Sequence, residues 1–351
     1  MMNHQEGSEG VVEQDPALAV GTLRQIAHGL RASRALAVAA QLNVADHLAE
    51  GPRNAHELAH LTGANAAALG RVMRALCALG VFVESSSGHF SLNAPGQLLR
   101  SDVPGSFRSG VLFLAGEVRW RCWSDLLETV KTGVSASERL LGMQLFDFYA
   151  AHPEESEIHD DAMRALSATH ADALLAAIDF PEGGVVVDVG GGTGELLAAV
   201  LAKHSRLCGV LYDLPNVVRH ARRVLRETRV ADRCAVVGGS FFDGVPMHGD
   251  VYILKQVLHD WDDERVGAIL RCCRRCIPPN ATLLVIDRKM PELAEPGPTA
   301  EVFLTDLEML VMTPGGRERT ETEIIELLSN AGFKYRRTLA TSSPLWVFEA
   351  A

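Results

Sequence analysis

Residues Val185–Leu201 read VVVDVGGGTGELLAAVL. A run of β-branched residues carries one acidic side chain, Asp188, near its end, then passes through a glycine turn into a helical pattern. Glycines in such a turn let the backbone approach a ligand closely, and the N–H groups of the following helix point toward that ligand. The stretch therefore predicts the first strand, the ligand-binding turn and the first helix of an α/β domain.

The spacing of the glycines narrows the class of ligand. Gly190, Gly192 and Gly194 give G-x-G-x-G. The dinucleotide fingerprint G-x-G-x-x-G needs a further glycine where this chain has Glu195, so binding of a pyrophosphate is disfavoured. An acidic residue just before the glycines, here Asp188, suits a ligand that lacks phosphates and carries an amino-acid end.

The remaining strands of this domain follow as short apolar runs bounded by Gly, Pro or polar turns. They are GVLYDL, CAVVGG, DVYILK and ATLLVID. Apolar runs of this length that alternate with helical stretches are typical of a parallel sheet buried on both faces. The second half of the chain, residues 171–351, is therefore predicted to be a doubly wound, Rossmann-like α/β domain.

Two residues at successive strand ends outline a nucleoside site. Asp213 lies about 20 residues after the glycine turn, where an acidic side chain accepts hydrogen bonds from ribose hydroxyls. Phe241 follows the third strand and is placed to lie against an adenine ring. Taken singly, Asp213 is also readable as a turn residue and Phe241 as a core residue. Together they predict a nucleoside at the carboxyl edge of the sheet.

A candidate catalytic histidine follows the fourth strand, in DVYILKQVLHDWDDE. His259 lies just past the strand end, Asp287 ends the next strand, and Glu318 stands in GGRERT. A carboxylate against one imidazole nitrogen fixes the tautomer and leaves the other nitrogen as a base. Since a lone histidine is more often structural, the prediction of a general base depends on these two carboxylates.

The whole chain has the composition of a soluble globular protein. It has 351 residues, of which 47% are apolar and 22% charged, and a net charge of −11. No apolar run approaches the roughly 18–20 residues of a membrane span, and the start lacks the features of a secretory signal, so a cytoplasmic location is expected. The predicted divisions are a disordered polar tail over 1–16, a winged-helix-like domain over 17–105, a helical connector over 106–170 and the α/β domain over 171–351.

The N-terminal region combines two short helices with a hairpin, VFVESSSGHFSLN. A helix-turn-helix followed by a hairpin is a winged-helix outline, and winged helices often bind DNA. The second helix offers only Arg71 and Arg74 to a phosphate backbone, and the chain as a whole is acidic. The outline is therefore interpreted as a packing or dimerisation domain, and no nucleic acid is expected as a partner.

A zinc-protease string also occurs in this region. His56-Glu57-Leu58-Ala59-His60 matches H-E-x-x-H, with two imidazoles one helical turn apart. The third histidine of the longer metzincin pattern would fall at Ala66, which cannot bind a metal. The string is interpreted as the exposed face of a packing helix.

Seven cysteines are present, an odd count for a disulfide framework. Cys272, Cys273 and Cys276 form a C-x-x-C cluster without the second pair or the histidines that a structural zinc site needs. They are interpreted as reduced thiols on a helix.

The motifs DVGGGTG, YDLP, GGSFF, LHDWDDE and DLEMLVMTPGGRERTETEIIELLSNAGF follow one another in this order. In this order and spacing they resemble the S-adenosylmethionine-dependent O-methyltransferases, both the caffeate/flavonoid-type plant enzymes and their bacterial counterparts in aromatic natural-product pathways. The resemblance covers roughly residues 20–345. It implies an S-adenosylmethionine cofactor, no metal, an aromatic acceptor with a phenolic hydroxyl and a homodimer formed through the N-terminal domain. No membrane partner is expected, since the chain lacks a long apolar run.

The resemblance also implies roles for individual residues. The cofactor would be held by Gly190, Asp213, Leu214, Ser240, Phe241 and Lys255. The catalytic group would be His259, held by Asp287 and Glu318. Met163 and Met309 fall where the family lines its acceptor pocket with methionines, although both are also readable as core residues. Apart from the resemblance, the aromatic side chains of Phe146, Trp120 and Trp123 suit a flat, apolar acceptor and are expected beside them. Two positions depart from the family: Ser240 replaces its usual aspartate, and Asp287 stands where plant members have glutamate.

Two alternative functions stay open at this point. Some relatives bind the cofactor but carry out hydroxylation or decarboxylation in place of methyl transfer. The presence of His259, Asp287 and Glu318 together favours methyl transfer, because an enzyme without the base step need not keep them. The second alternative is a transcription regulator that uses the winged helix and senses a nucleoside.

Overall fold

The computed structural model describes residues 16–351, which divide into two compact units, 16–102 and 103–351. The predicted tail over 1–16 lies outside the described residues, apart from Pro16 at the start of the first helix. Within the described part of the chain, no helix combines the length and apolarity needed to cross a membrane.

The first unit is mainly helical. Its helices are α1 (Pro16–Gln41), α2 (Val44–His47), α3 (Ala55–Thr62), α4 (Ala66–Ala78) and α5 (Ala94–Gln97). Its strands are β1 (Arg53–Asn54), β2 (Phe82–Glu84) and β3 (His89–Leu92), in the order β1-β3-β2. The antiparallel pair β2–β3 follows α3 and α4, as the winged-helix outline predicts. In α4 the buried side chains are Leu69, Met73 and Leu76, at the spacing of one helix face.

The zinc-protease string forms α3, and its polar residues serve the helix itself. The Asn54 side chain accepts hydrogen bonds from the backbone N–H groups of residues 56 and 57. The Glu57 carboxylate in turn accepts the Asn54 backbone N–H at 2.7 Å, which completes a capping box. His56 and His60 are exposed, whereas Leu58 is fully buried. The interpretation of this string as the outer face of a packing helix is consistent with that geometry.

The second helix of the winged-helix outline, α4, offers little to DNA. Of its two arginines, Arg74 pairs with Glu84 of strand β2, with 3.2 Å between Nε and Oε2. The pair neutralises one of the few cations on this helix, which weakens the DNA-binding alternative.

The second unit is built on a seven-stranded sheet in the order β6-β5-β4-β7-β8-β10-β9. Five strands pair in parallel: β4 (Gly184–Val189), β5 (Leu207–Asp213), β6 (Cys234–Gly238), β7 (Val251–Lys255) and β8 (Thr282–Arg288). They are the five predicted strands, and the predicted fold class, a Rossmann-like α/β domain with an N-terminal helical domain, is confirmed.

Two antiparallel strands, β9 (Tyr335–Ala340) and β10 (Leu345–Ala350), complete the sheet beyond β8 and were not predicted. β9 carries two arginines within its six residues, so it lacks the apolar run that marks a buried strand. Arg337 pairs across the strands with Glu349, with 2.8 Å between Nε and Oε2. Cross-strand charge pairing of this kind is visible only when the partner strand is known.

Helices cover both faces of the sheet. The helices that precede β4 along the chain are α6 (Arg108–Ala115), α7 (Glu117–Ser124), α8 (Leu126–Thr132), α9 (Ala136–Leu141), α10 (Leu145–Ala151) and α11 (Pro153–Ala177). The helices that lie between the strands along the chain are α12 (Glu195–Lys203), α13 (Pro215–Val218), α14 (Ala221–Glu227), α15 (Asp263–Cys276), α16 (Ala300–Met312) and α17 (Glu321–Asn330). Short 3-10 turns occur at Ala231–Arg233 and Leu258–Asp260. The predicted boundary between residues 170 and 171 falls inside α11, so the connector and the sheet belong to one unit.

The parallel strands place the candidate site residues at one edge. Their carboxyl ends lie at one edge of the sheet because all five strands run parallel to one another. Asp188, Asp213 and Lys255 therefore share this edge with the residues that follow β6 and β7.

Candidate active site

The glycine turn after β4 is held against the neighbouring strand. Gly190 donates its N–H to the carbonyl of Tyr212 at 2.8 Å and has a φ of 71°, a conformation that favours glycine. A Cβ on Gly190 would lie 2.7 Å from Cγ2 of Val257. At Gly192, which has a φ of 62°, a Cβ would have no atom within 4 Å among residues 16–351 other than those of Gly192 and its two chain neighbours. The turn is thus packed on one side and open on the other.

Asp213 ties this turn to the end of β5. Its Oδ2 accepts the N–H of Gly192 at 2.8 Å, and its Oδ1 accepts the N–H of Leu214 at 2.6 Å. Burial raises the pKa of the Asp213 carboxyl, while the two hydrogen bonds act in the opposite direction. Each carboxylate oxygen has two lone pairs, so one on each oxygen is left for a ligand.

Asp188 is the acidic residue before the glycines, which the motif associates with a ligand that carries an amino-acid end. It is 2% exposed, and its Oδ1 has no hydrogen-bond partner among residues 16–351. Burial raises the pKa of its carboxyl to about 7, although Lys255 acts against this. A buried acceptor atom without a donor is costly, and an ammonium group would satisfy it. The site therefore suits a ligand with an amino-acid end.

Lys255 ends β7 at the same edge. Its Nζ lies 3.0 Å from Oγ of Ser167 on α11 and 3.0 Å from Oε1 of Gln256. Burial lowers the pKa of this ammonium group, while Asp188 and Asp287 act in the opposite direction. The structure thus brings Lys255 close to Asp188, beside the glycine turn.

An aromatic cluster follows β6. Phe241 lies 6.1 Å from Trp261 and 5.0 Å from Phe242, measured between ring centroids. The Ser240 hydroxyl accepts the N–H of Phe242 at 3.3 Å, so it shapes the turn locally. Phe241 is partly exposed, as expected of a residue that packs against a ligand as well as against the protein.

His259 lies in the 3-10 turn after β7 and is held through one ring nitrogen. Its Nδ1 lies 2.9 Å from Oε1 of Glu318 and 3.5 Å from Oδ1 of Asp287. Its Nε2 lies 3.7 Å from Oδ1 of Asp260. Because an ionised carboxylate only accepts hydrogen bonds, Nδ1 carries a proton and donates a hydrogen bond to Glu318. In the neutral imidazole this leaves Nε2 with a free lone pair.

The charges around His259 favour its protonated form. Burial lowers the pKa of the imidazole, but Asp287, Glu318 and Asp260 outweigh this effect and raise it to about 10. Burial raises the pKa of the Asp287 carboxyl to about 7, against the attraction of His259. The group therefore holds a proton tightly and places it at the rim of the sheet.

The loop that carries Glu318 is fixed by buried polar contacts. The backbone N–H of Glu318 donates to Oδ1 of Asp306 on α16 at 2.8 Å. The Arg319 guanidinium donates to the carbonyls of Leu258 at 2.9 Å and Trp261 at 2.7 Å, on either side of His259. The GGRERT motif thus positions both the carboxylate and the turn that carries the histidine.

The predicted acceptor residues all lie in this second unit. Phe146 on α10 stacks on Trp261, which lies two residues after His259, with 6.2 Å between the ring centroids. Met309 is buried on α16, whereas Met163 on α11 is partly buried. The predicted pocket residues Trp120 and Trp123 both lie on α7. Trp123 donates its Nε1–H to Glu308, so one of the two aromatic residues is tied to α16.

Two polar groups were not predicted. The first joins Arg119 of α7 to Glu308 at 2.6 Å and to the Tyr149 hydroxyl at 3.1 Å. The second is the pair His159 and Asp160 on α11, with 3.2 Å between Nδ1 and Oδ1. A signal for the second was present, since HDD directly precedes the alanine-rich part of α11.

His259, Asp287 and Glu318 also form the one group within residues 16–351 in which three side chains of metal-binding type approach within 4.8 Å. The zinc-protease string forms no such group in the described chain. The absence of a metal from the reaction stays a prediction, which chelation tests.

Comparisons with known proteins identify the family to which this chain is similar. Residues 123–334 match the O-methyltransferase domain family, and residues 24–102 match the O-methyltransferase dimerisation domain. A phenazine O-methyltransferase of Lysobacter antibioticus is 40% identical over 331 residues, covering 93% of this chain and 95% of that protein. A mitomycin biosynthesis 6-O-methyltransferase of Streptomyces lavendulae is 38% identical over 339 residues, with the same shares covered.

A solved structure is similar over nearly the whole chain. It is an O-methyltransferase from neocarzinostatin biosynthesis in complex with S-adenosylmethionine and 2-hydroxy-5-methyl naphthoic acid. It has a TM-score of 0.78 and 33% identity, covering 91% of this chain and 95% of that one.

Proposed function

The chain belongs to the O-methyltransferase family, and we propose that it methylates a phenolic hydroxyl of an aromatic small molecule with His259 as general base. It is an S-adenosylmethionine-dependent O-methyltransferase of the kind that serves natural-product biosynthesis. The observation that carries the proposal is the imidazole of His259, whose Nδ1 lies 2.9 Å from Oε1 of Glu318.

The residues at the sheet edge fit S-adenosylmethionine, which supplies the methyl group when bound. The unpartnered Oδ1 of Asp188 suits the ammonium of the amino-acid end, and Lys255 lies within reach of the same end. Asp213 has lone pairs for the ribose hydroxyls. The adenine would lie among side chains that follow β5 and β6. These are Leu214, Ser240 and Phe241.

His259 acts on the acceptor. A phenol has a pKa near 10, so little of it is ionised at neutral pH. His259 would accept the phenolic proton at Nε2 as the oxygen attacks the methyl carbon, and S-adenosylhomocysteine would leave as the bond between that carbon and sulfur breaks. A positioned base of this kind contributes about 10²–10⁴ in rate. Glu318 and Asp287 would stabilise the imidazolium that forms.

The two carboxylates make His259 a strong base, and a second positive charge in the site moderates this. With a pKa of about 10 and no cofactor bound, the imidazole is mostly protonated at neutral pH. The sulfonium of the cofactor is a cation, and a nearby cation lowers the pKa of an imidazole. Binding of the cofactor would therefore favour release of the proton from Nε2, which prepares His259 to act.

We also propose that the chain works as a homodimer with an apolar acceptor pocket in each copy. The first unit matches the dimerisation domain, and α1 exposes Leu23, Ile26 and Leu30 on one face. Such a face is typical of an interface. Met163, Met309 and Phe146 would line the pocket, since methionines and aromatics suit a flat, apolar acceptor.

The experiment is transfer of a labelled methyl group. The protein would be incubated with S-adenosylmethionine labelled in the methyl carbon and with phenols, flavonoids, phenazines and anthraquinone-like compounds. The label is expected on an acceptor oxygen, at a rate that a chelator such as EDTA leaves unchanged. A product hydroxylated or decarboxylated without the label would contradict the proposal, and loss of activity on chelation would contradict the metal-free mechanism.

A further inference from the structure

A second imidazole–carboxylate pair lies on α11, outside the catalytic group. Nδ1 of His159 lies 3.2 Å from Oδ1 of Asp160, and the two side chains are only 21% and 15% exposed. Burial of an imidazole next to a carboxylate costs free energy unless both find partners. Among residues 16–351, the contact between Nδ1 and Oδ1 is the hydrogen bond that these two side chains make, so Nε2 of His159 is left for a ligand.

Aromatic rings connect this pair to the active site. Phe146 lies 6.5 Å from the His159 ring and 6.2 Å from the Trp261 ring, between centroids. Trp261 follows His259 by two residues. Tyr149 lies on another side of His159, at 4.5 Å. Phe146 thus lies between the ring of His159 and the ring of Trp261, and an acceptor that packs against Phe146 would lie near His159.

Asp260 is close to both histidines. Its Oδ1 lies 3.7 Å from Nε2 of His259. Burial raises the pKa of the Asp260 carboxyl, and both His259 and His159 act in the opposite direction. His159 has the same influence on Asp213 at the ribose position. These effects agree with a place for His159 between the nucleoside end and the catalytic end of the site.

The tautomer of His159 follows from its partner. An ionised Asp160 can only accept, so Nδ1 of His159 carries the proton. In the neutral ring, Nε2 then has a lone pair, and no hydrogen bond to it is made by residues 16–351. A group that meets this nitrogen must therefore donate a hydrogen bond.

The surrounding charges disfavour an anion at this position. Arg119 is the nearby cation, but its guanidinium is committed to Glu308 at 2.6 Å and to Tyr149 at 3.1 Å. Asp160 and Asp260 contribute negative charge beside His159. A carboxylate on the acceptor would be repelled by both of them.

We propose that the acceptor carries a second hydrogen-bond donor, a hydroxyl or amine, and that Nε2 of His159 receives it. This inference rests on the proposed function and adds the substrate class. His259 takes the proton from the hydroxyl that is methylated, and His159 selects the acceptor by its second substituent. His159 is thus a specificity-determining residue and takes no part in the methyl transfer step.

The test uses naphthols that differ at one ring position, where they carry a second hydroxyl, a methoxyl or a carboxylate. Binding is measured by calorimetry on protein saturated with S-adenosylhomocysteine, so that no chemistry is required. Wild-type protein should bind the best dihydroxyl isomer at least about tenfold more tightly than its methoxyl and carboxylate analogues, the size expected for one buried hydrogen bond.

The variant His159→Phe keeps an aromatic ring among aromatic neighbours and removes the acceptor nitrogen. It should bring the ratio between hydroxyl and methoxyl analogues close to one. The matched control is His152→Phe, since His152 is exposed and stacks on Phe148 at 4.0 Å. This control should keep the wild-type ratio.

Equal binding of the three analogues by wild-type protein, tighter binding of the carboxylate, or an unchanged ratio in His159→Phe would each overturn the inference. Methyl transfer measured on the same naphthols distinguishes a failure of the inference about His159 from a failure of the proposed function. Selective binding without any methyl transfer would support the inference and count against the proposed function. Methyl transfer without selective binding would do the reverse.

Discussion

Each unit of this protein contains a histidine motif with acidic residues nearby. In the first unit the acidic residue caps a helix, whereas in the second the acidic residues hold the histidine. HELAH on α3 places two exposed imidazoles and a glutamate that caps its own helix. HDW after β7 places one imidazole that is 8% exposed, and Glu318 and Asp287 reach it from distant parts of the chain. A short sequence match to a metal-binding or catalytic motif therefore predicts a site only when the fold brings further side chains of the right chemistry to it.

The largest expected effect separates these two motifs directly. His259→Ala should lower the rate of methyl transfer to a phenol by at least roughly 100-fold, because it removes the general base. Cofactor affinity, measured by calorimetry, should persist. The matched control is His60→Ala on α3, which should keep the wild-type rate. A normal rate in the first variant, or a large loss in the second, would reverse the comparison.

The carboxylates that hold His259 give the next effect. Glu318→Gln should lower turnover by roughly tenfold or more, but less than loss of the base itself. The negative charge raises the pKa of His259, and the neutral imidazole is the active form. Removing that charge lowers this pKa, so the rising limb of kcat/KM against pH should move to lower pH.

A pH profile of the Glu318→Gln variant and the wild type, on one acceptor, measures this shift. Asp287→Asn should move the limb in the same direction. A limb that stays in place in both variants would mean that the carboxylates do not set the protonation of His259.

A moderate effect is expected at the cofactor. Asp213→Ala should weaken S-adenosylmethionine binding by roughly tenfold, the size of a lost hydrogen bond to a charged group, since it also releases Gly192 and Leu214. Calorimetry measures the affinity. Wild-type affinity in this variant would show that Asp213 only shapes the turn.

The smallest effect returns to α3. Glu57→Ala should lower the free energy of unfolding by about 0.5–1 kcal/mol, because it removes half of a capping box. Methyl transfer by the folded enzyme should be unaffected. Denaturant unfolding measures the first and the labelled-methyl assay the second. A loss of methyl transfer without a loss of stability would assign α3 a part in catalysis that this account denies it.

The same contrast explains what the sequence could predict. The five parallel strands and the residues at their carboxyl ends were accessible, because apolar runs mark buried strands and parallel strands end at one edge. The placement of Asp213, Lys255 and His259 at this edge follows from that rule. Their roles in binding and catalysis remain proposals.

The features that were missed depend on contacts far apart in the chain. Trp123 and Glu308 are hydrogen-bonded across 185 residues, and no periodicity connects α7 with α16. Strand β9 contains two arginines and so lacks the apolar run by which a sequence indicates a buried strand. Both arginines are paired with Glu349 of β10, which is visible only in the structure. His159 could be noticed in HDD, directly before the alanine-rich part of α11, but its aromatic neighbours come from two other helices.

The most direct test of the central claim compares wild type and His259→Ala on phenols of decreasing pKa. A general base matters only while the acceptor keeps its proton. The ratio of the two rates should be at least roughly 100 for phenols with a pKa near 10, and should fall toward one for phenols already ionised at the assay pH. A ratio that stays the same across the series would contradict the assignment of His259 as the base.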